Sequence, residues 1–452
     1  MDLKNKKVTV IGMGETGVDT ALALKKSGAD VYVTEIKNTE DMIKARSGLE
    51  KEGIKTETGK HSPQFVSDSS LIIPSPGVPL NAFPILWAKE KNIPVKSEIE
   101  IAYQLSPSKK IVAITGTNGK TTTTSLADLL LENAGIPHIT CGNIGDSFIG
   151  ELKKIKTDTI IVLEVSSFQL EYVEEFRPQI SILLNVTEDH LDYYENFSRY
   201  VSAKNRIFRN QKENDIAILN REDAFCRETG DTLAIKKIYF SGRERLKNGI
   251  SLKGKKIIYS THDMDIEMAD VSKGKLFGIH NVENIMAVCG IAISMGINSP
   301  VIQKTIEGFV PLSHRLEKIT EIKGITYIND SKATNVDAVK RALESFPSKK
   351  RIILIMGGKD KGFSFQPLTA LVSEKVKHLV LLGQTAERIK DELKGSSVPL
   401  KIVKTMEEAV TFSSQTGEKG DVVLLSPGCS SFDMFQNYEE RGYVFKRMVE
   451  NL

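Results

Sequence analysis

Two glycine-rich segments hold the residues best suited to chemistry. The first is Gly12-Met13-Gly14-Glu15-Thr16-Gly17, a GxGxxG spacing directly after the apolar run VTVI. Glycines there permit a tight turn, and a helix N-terminus behind that turn attracts a pyrophosphate. Glu35, at the end of the next strand-like run, stands near the spacing of a ribose-binding acid. The motif allows a nicotinamide or flavin dinucleotide, another diphosphate ligand, or plain turn geometry. The second segment is Gly116-Thr117-Asn118-Gly119-Lys120-Thr121-Thr122-Thr123. Backbone N–H groups in such a loop surround β- and γ-phosphates, Lys120 adds a point charge, and a hydroxyl at Thr121 or Thr122 can reach Mg²⁺. The segment departs from G-x4-GK[ST] at Ile114, where the first glycine is expected. Four successive threonines after Gly-Lys have little packing purpose, so phosphate binding is the better reading.

A metal-binding acid is expected at the end of a neighbouring strand, and Glu164, closing TIIVLE, is placed for it. His190, in NVTEDH, reads either as a metal or phosphate ligand or as a structural histidine. Lys204, in YVSAKNR, reads by itself as a solvated helix lysine.

These residues need a frame. A chain of 452 residues suggests about three domains at ~150 residues each. Lys plus Arg (61) nearly balances Asp plus Glu (58), which argues against a dedicated nucleic-acid or polybasic membrane surface. Apolar residues at 40% and charged residues at 26% exclude a disordered chain. The four cysteines form no CxxC pair, so a reduced, cytoplasmic compartment is expected. The N-terminus MDLKNKKVTVIGMGETG has an apolar run of only about six residues and reads as a strand, not a secretory signal. No stretch approaches the ~18 apolar residues of a membrane span.

Strand and helix patterns alternate from the start: KKVTVIG, a helix over 16–27, ADVYVTE, then SLIIPSPG. That alternation is a βαβ unit with a parallel sheet. After QLSPSKK a second unit begins at KIVAITG and continues through TIIVLEV, ISILLNV and AILN. Short runs over 249–277, broken by Lys-Gly and Asp, predict antiparallel hairpins, and helices are expected over 281–295 and 299–308. A third unit follows Pro311, with strands RIILIMGG, HLVLLG, KIV and DVVLLSPG and a closing helix over 433–450. The expected fold is α/β in three domains, 1–98, 99–311 and 312–452. The outer two are Rossmann-like; the central one is P-loop-ATPase-like, mainly parallel with an antiparallel part.

TGTNGKTTT, GNIG, LEVSSFQL, LNVTEDHLD, HNVENIMA, PLSHRLE and NDSKATN stand in an order that resembles the Mur ligases, ATP-dependent ligases that add amino acids to the UDP-muramyl precursor of peptidoglycan. PSPGVP, SSFQLE, NDSKATN and SPGCSSFDMFQNYEERG are most similar to the branch that adds D-glutamate. The resemblance implies a cytoplasmic, monomeric enzyme with ATP and Mg²⁺ as cofactors. It would join D-glutamate to UDP-N-acetylmuramoyl-L-alanine through an acyl phosphate. It moves the GxGxxG loop to the UDP diphosphate, with Gly14, Glu15, Thr16, Glu35 and Ser75 in that site and Asn143 and Ser166 touching the muramyl part. Ile36 departs from the hydroxyl residue the family can carry there. ATP would be held by Gly116 to Thr123, Asn281, Asn284, Arg315 and Asp330. The metal would be held by Thr122, Glu164, His190 and Lys204, the last as a carbamate, whose oxygens suit Mg²⁺. Lys120, His190 and Lys204 are the implied catalytic residues, and Lys332 would meet phosphate or substrate. Thr334, Lys361, Ser431, Phe432 and Tyr438 would form the D-glutamate pocket; Phe432 reads alternatively as a core aromatic of the last helix. A sister ligase using another amino acid, a folylpolyglutamate-type ligase, a Rossmann oxidoreductase and a non-catalytic ATP-binding scaffold are the competing readings.

Overall fold

A computed structural model describes residues 3–190, 193–346 and 349–452. Leu191 and Asp192, the end of the LNVTEDHLD motif, lie outside the described residues. The chain folds around three sheets. The first contains β1 (Lys7–Ile11), β2 (Asp30–Glu35), β3 (Lys55–Thr58) and β4 (Leu71–Pro74). Its order β3-β2-β1-β4 is parallel throughout. The run VTVI supplies an almost wholly buried β1, as expected of a strand covered on both faces. Helix Glu15–Lys26 follows it directly, burying Gly17, Thr20, Ala21 and Leu24.

The second sheet contains β5 (Ile111–Thr115), β6 (His138–Gly142), β7 (Ile160–Glu164), β8 (Ile180–Leu183), β9 (Ile216–Asn220), β10 (Lys236–Ser241), β11 (Gly249–Lys253), β12 (Lys256–Ser260) and β13 (Asp265–Asp270). Its order is β13-β12-β11-β10-β9-β8-β5-β7-β6. The strands from β6 to β11 pair in parallel, and β11 turns back on β12 as an antiparallel hairpin. The two expected helices are present at Ile279–Met295 and Ser299–Gly308.

The first two sheets fall in one compact unit. Buried carboxylates hold them together within it. Glu100, at the start of helix Glu98–Leu105, accepts backbone N–H bonds from Glu174, Glu175 and Phe176 at 2.9–3.0 Å. Glu98 accepts one from Ile149 at 3.0 Å, and burial pushes its carboxyl up to about 7. Asp19 accepts from the Ser147 hydroxyl at 2.6 Å.

The third sheet forms the second unit, together with 187–190 and 270–284. It contains β14 (Glu317–Ile322), β15 (Ile325–Asn329), β16 (Ile352–Met356), β17 (Val376–Leu381), β18 (Leu400–Ile402) and β19 (Val422–Leu425), in the order β14-β15-β19-β16-β17-β18. All its pairs are parallel except the β14–β15 hairpin. The closing helix runs Tyr438–Glu450 and is shorter than expected. The Asn437 side chain caps it by accepting the Glu440 N–H, and the Ser431 carbonyl ties back Met434 and Phe435 in a turn before it.

Candidate active site

Each sheet presents its candidate residues at the carboxyl ends of its strands, where a change in strand order opens a crevice. In the first sheet that strand is β1, with β2 on one side and β4 on the other. Gly12 has φ +102°, and a Cβ there would stand 2.7 Å from the Ser75 hydroxyl. A Cβ at Gly17 would meet the Gly12 carbonyl oxygen at 2.2 Å. Both glycines therefore serve the turn itself. Gly14 faces open space, leaving its backbone accessible to a ligand. Glu35 accepts backbone N–H bonds from Met13 at 3.0 Å and Lys37 at 2.8 Å, so its carboxylate braces the loop. The Ser75 hydroxyl is buried among these groups and, among the described residues, has no hydrogen-bond partner. Thr16 is half-buried, and Glu15 is exposed.

In the second sheet, β5 lies between β7 and β8. The loop after it contains two glycines in the positive-φ region, Gly116 and Gly119, and ends at helix Lys120–Asn133. The Lys120 ammonium folds back on the loop, donating to the Gly116 and Thr117 carbonyls at 2.9 Å each. Lys204 is only 1% exposed, donates to the Gly116 carbonyl at 2.8 Å and lies 4.6 Å from the centre of the Tyr200 ring. The solvated-lysine reading is thereby excluded. Thr122 and Thr123 are buried, while Thr121 is half-buried.

Asn185, at the end of β8, was not singled out by sequence. Its side chain accepts the Asn118 N–H at 2.8 Å and donates to the Asn118 carbonyl at 2.9 Å. Its own carbonyl accepts the Thr117 N–H at 2.9 Å. It thus clamps the middle of the loop. Its place near a strand end within LNVTEDH does not by itself reveal that partner.

Glu164 closes β7 and is 1% exposed. One carboxylate oxygen accepts from the exposed Asn143 side chain at 2.8 Å; the other is buried and, among the described residues, accepts no hydrogen bond. An orphaned carboxylate oxygen this deep suits a cation. Among the described residues no three His, Cys, Asp or Glu side chains gather into a metal-holding group. The expected ligand set contains only two such residues, the others being Thr122 and Lys204. Ser166 begins helix Ser167–Leu170 and forms a reciprocal capping box with Gln169.

In the second unit, loops after β15, β16 and β19 converge. Asp330 is buried, accepting from Ser426 at 2.9 Å and from the Leu316 N–H at 3.2 Å. Burial pushes its carboxyl up to about 7, while those donors and the charges of Arg315 and Arg441 hold it back. Arg315 stands between His314 and Leu316, both at positive φ. The Lys332 ammonium sits 3.6 Å from the centre of the Tyr438 ring. Lys361 pairs with Asp189 at 3.5 Å, and Asn335, beside the half-buried Thr334, donates to the other Asp189 oxygen at 3.2 Å. Burial opposes the Asp189 charge, but Lys361, His190 and the Asn335 donor outweigh it and hold the carboxyl below its ordinary value. His190 follows Asp189 with φ +56°. Ser431 is buried, whereas Phe432 is 65% exposed and precedes the last helix. The core-aromatic alternative for Phe432 is therefore wrong. Asn281 and Asn284 are both buried one helical turn apart, with Asn284 donating to Asn281 at 3.3 Å. Asp189, Asn335 and Arg441 were not singled out by sequence.

Among the described residues no helix is long and apolar enough to cross a membrane. Three family descriptions match successive parts of the chain: "Mur ligase MurD-like, N-terminal domain" over 6–97, "Mur ligase middle domain" over 114–292, and "Mur ligase, glutamate ligase domain" over 314–429. UDP-N-acetylmuramoylalanine–D-glutamate ligases of Koribacter versatilis and Geotalea daltonii are each 42% identical, covering 100% of this chain and 99% of the relative. The same fold appears in a pseudomurein peptide ligase type C from Methanothermus fervidus, with TM-score 0.62, 21% identity, 99% of this chain and 100% of that one. It also appears in a UDP-N-acetylmuramate-alanine ligase from Thermotoga maritima, with TM-score 0.59, 22% identity and 99% of each chain. Likeness that runs from the first glycine loop to the last helix, at this identity, leaves one conclusion: the chain belongs to the Mur ligase family.

Proposed function

We propose that this chain is an ATP-dependent ligase that joins D-glutamate to UDP-N-acetylmuramoyl-L-alanine in peptidoglycan synthesis. The observation that carries the choice of substrates is the 42% identity, over the full length, to relatives named for that reaction. Its domains are 1–98 for the UDP substrate, 99–311 for ATP and 312–452 for the amino acid. The four cysteines are free and buried, which suits a cytoplasmic enzyme.

The chemistry begins with a poor acylating agent. An oxygen of the alanine carboxylate attacks the γ-phosphorus of ATP, the bond to the bridging oxygen breaks, and ADP leaves. The D-glutamate amine then attacks the acyl carbon, the amide forms, and inorganic phosphate departs. The loop Gly116–Thr123 holds the phosphates, with Lys120 offsetting the charge that builds on the transferring group. Asn281, Asn284, Arg315 and Asp330 hold the rest of the nucleotide. Gly14, Glu15, Thr16, Glu35 and Ser75 take the UDP end of the other substrate, with Asn143 and Ser166 toward its muramyl end. Thr122, Glu164, His190 and Lys204 as a carbamate would hold Mg²⁺, which would neutralise phosphate charge there. The orphaned Glu164 oxygen supports that assignment. Lys361, Thr334, Ser431, Phe432 and Tyr438 take D-glutamate, and Lys332 meets phosphate or substrate. Lysine and hydroxyl groups suit its two carboxylates.

Phosphate release by the purified protein with ATP, Mg²⁺ and UDP-N-acetylmuramoyl-L-alanine tests the proposal. Release is expected to be fastest with D-glutamate, by orders of magnitude over L-glutamate and other amino acids. Faster release with a different amino acid moves the chain to a sister activity; no release with any of them refutes the ligase reading.

A further inference from the structure

Arg441 is 2% exposed and, among the described residues, the largest of the fully buried side chains by volume. Its guanidinium donates from Nε to the Ser331 hydroxyl at 3.0 Å, from Nη2 to the Ser331 carbonyl at 2.8 Å, and from Nη1 to the Cys429 carbonyl at 3.0 Å. The Ser331 hydroxyl itself donates a hydrogen bond to the Tyr438 carbonyl at 2.8 Å. Gly358 presses on the same group: a Cβ there would stand 3.2 Å from Nη1 and 2.3 Å from the Ser430 carbonyl. One side chain therefore meets the loops after β15, β16 and β19.

Among the described residues no carboxylate lies within ion-pair distance of this cation, and the charges of Asp433 and Asp330 reach it only from farther away. Burying a charge without a counter-ion is costly. Its position in the first turn of helix Tyr438–Glu450 adds the positive end of the helix dipole to that cost. Burial holds its pKa down to about 10, which still leaves it charged at neutral pH. A buried neutral side chain could fill the space, so the charge calls for a use.

We propose that Arg441 is a positioning and selectivity residue of the amino-acid pocket. It ties together the loops that carry Lys332, Thr334 and Ser431, lies beside the loop that carries Lys361, and through a charge that no carboxylate meets in an ion pair biases the pocket toward an amino acid with a second carboxylate. This rests on the reading of the pocket as the D-glutamate site.

The test compares wild type, Arg441→Met and Arg441→Lys in steady-state kinetics with D-glutamate and its uncharged isostere D-glutamine. Arg441→Met is expected to raise the D-glutamate KM about tenfold or more, and to lower the kcat/KM preference for D-glutamate over D-glutamine by about tenfold, with the ATP KM held within about twofold. Arg441→Lys should recover the preference but only part of the KM, because it keeps the charge and loses the fork. An unchanged D-glutamate KM and preference in Arg441→Met overturns the proposal, as does an equal rise in KM for D-glutamate, D-glutamine and ATP. Should Arg441→Met fail to fold, Ser331→Ala and Arg441→Lys decide. A raised D-glutamate KM in both supports the proposal, and wild-type values in both refute it. Wild-type enzyme that never uses D-glutamate refutes the parent reading instead, a result visible before any variant is made.

Discussion

The two glycine loops occupy the same place in two different sheets, each after a strand with parallel neighbours on both sides, yet their surroundings carry opposite charge. The group that braces the first loop is a carboxylate: Glu35 takes the Met13 N–H. The second is braced by the Lys120 ammonium, which donates to the Gly116 and Thr117 carbonyls, while Lys204, the residue proposed as a carbamate, reaches the same Gly116 carbonyl. Glycine spacing thus specifies only how closely a backbone can approach a ligand. What the ligand's charge can be is set by the side chains around it. A diphosphate already esterified at both ends asks for hydrogen bonds and room. A triphosphate that must transfer its terminal group asks for compensating cations.

Removing a cation from the second loop should break this contrast most sharply. Lys120→Ala is expected to lower kcat by about a thousandfold or more, because it removes the charge proposed to offset the one that builds on the transferring phosphoryl. Calorimetric binding of the UDP-substrate should stay as in wild type, since its diphosphate is assigned to the other loop. Wild-type turnover by this variant would end the phosphate-loop assignment. Lys204→Ala should cost about a hundredfold in kcat/KM and be partly restored by added formate or acetate, as a carboxylate-like ligand would be. Loss without rescue would leave Lys204 as a plain ammonium bound to the Gly116 carbonyl, and full activity without additives would remove it from the site.

The sequence revealed the three α/β sheets because buried parallel strands read as short apolar runs and each helix follows at the expected spacing. VTVI, IVAIT and IILIM are such runs. Lys120 was legible because its chemistry and position coincide in one local motif. Lys204 was not: helix periodicity places it on a surface, and only the resemblance to a family gave it a role. The structure explains the difference, since its partner Gly116 lies 88 positions away. Asn185 and Arg441 were invisible for the same reason. Each contacts backbone atoms of distant loops, and a lone Asn at a strand end or Arg in a helix carries no local signal of that. The last helix was placed too early because FDMFQ is apolar enough to continue a helical pattern. The Asn437 cap, which local sequence permits but does not require, starts it later.

The smallest effect sharpens the same comparison from the side of the first loop. If its glycines serve packing, Gly17→Ala should damage the fold before it damages chemistry. The new Cβ would stand 2.2 Å from the Gly12 carbonyl oxygen, a backbone atom that cannot swing aside as a side chain would. Overpacking of this kind costs about 1–3 kcal/mol, and the loop would have to open to accept it. Gly14→Ala meets nothing within 4 Å and has ordinary backbone angles. It should keep wild-type thermal stability and instead weaken binding of the UDP-substrate, because its methyl group would occupy the open face assigned to the diphosphate. Melting curves and binding isotherms on the two variants therefore separate the roles of two glycines three residues apart. Equal stability loss in both would mean that the whole motif is a turn. Equal binding loss with no change in stability would mean that packing at Gly17 yields more easily than its backbone contact implies.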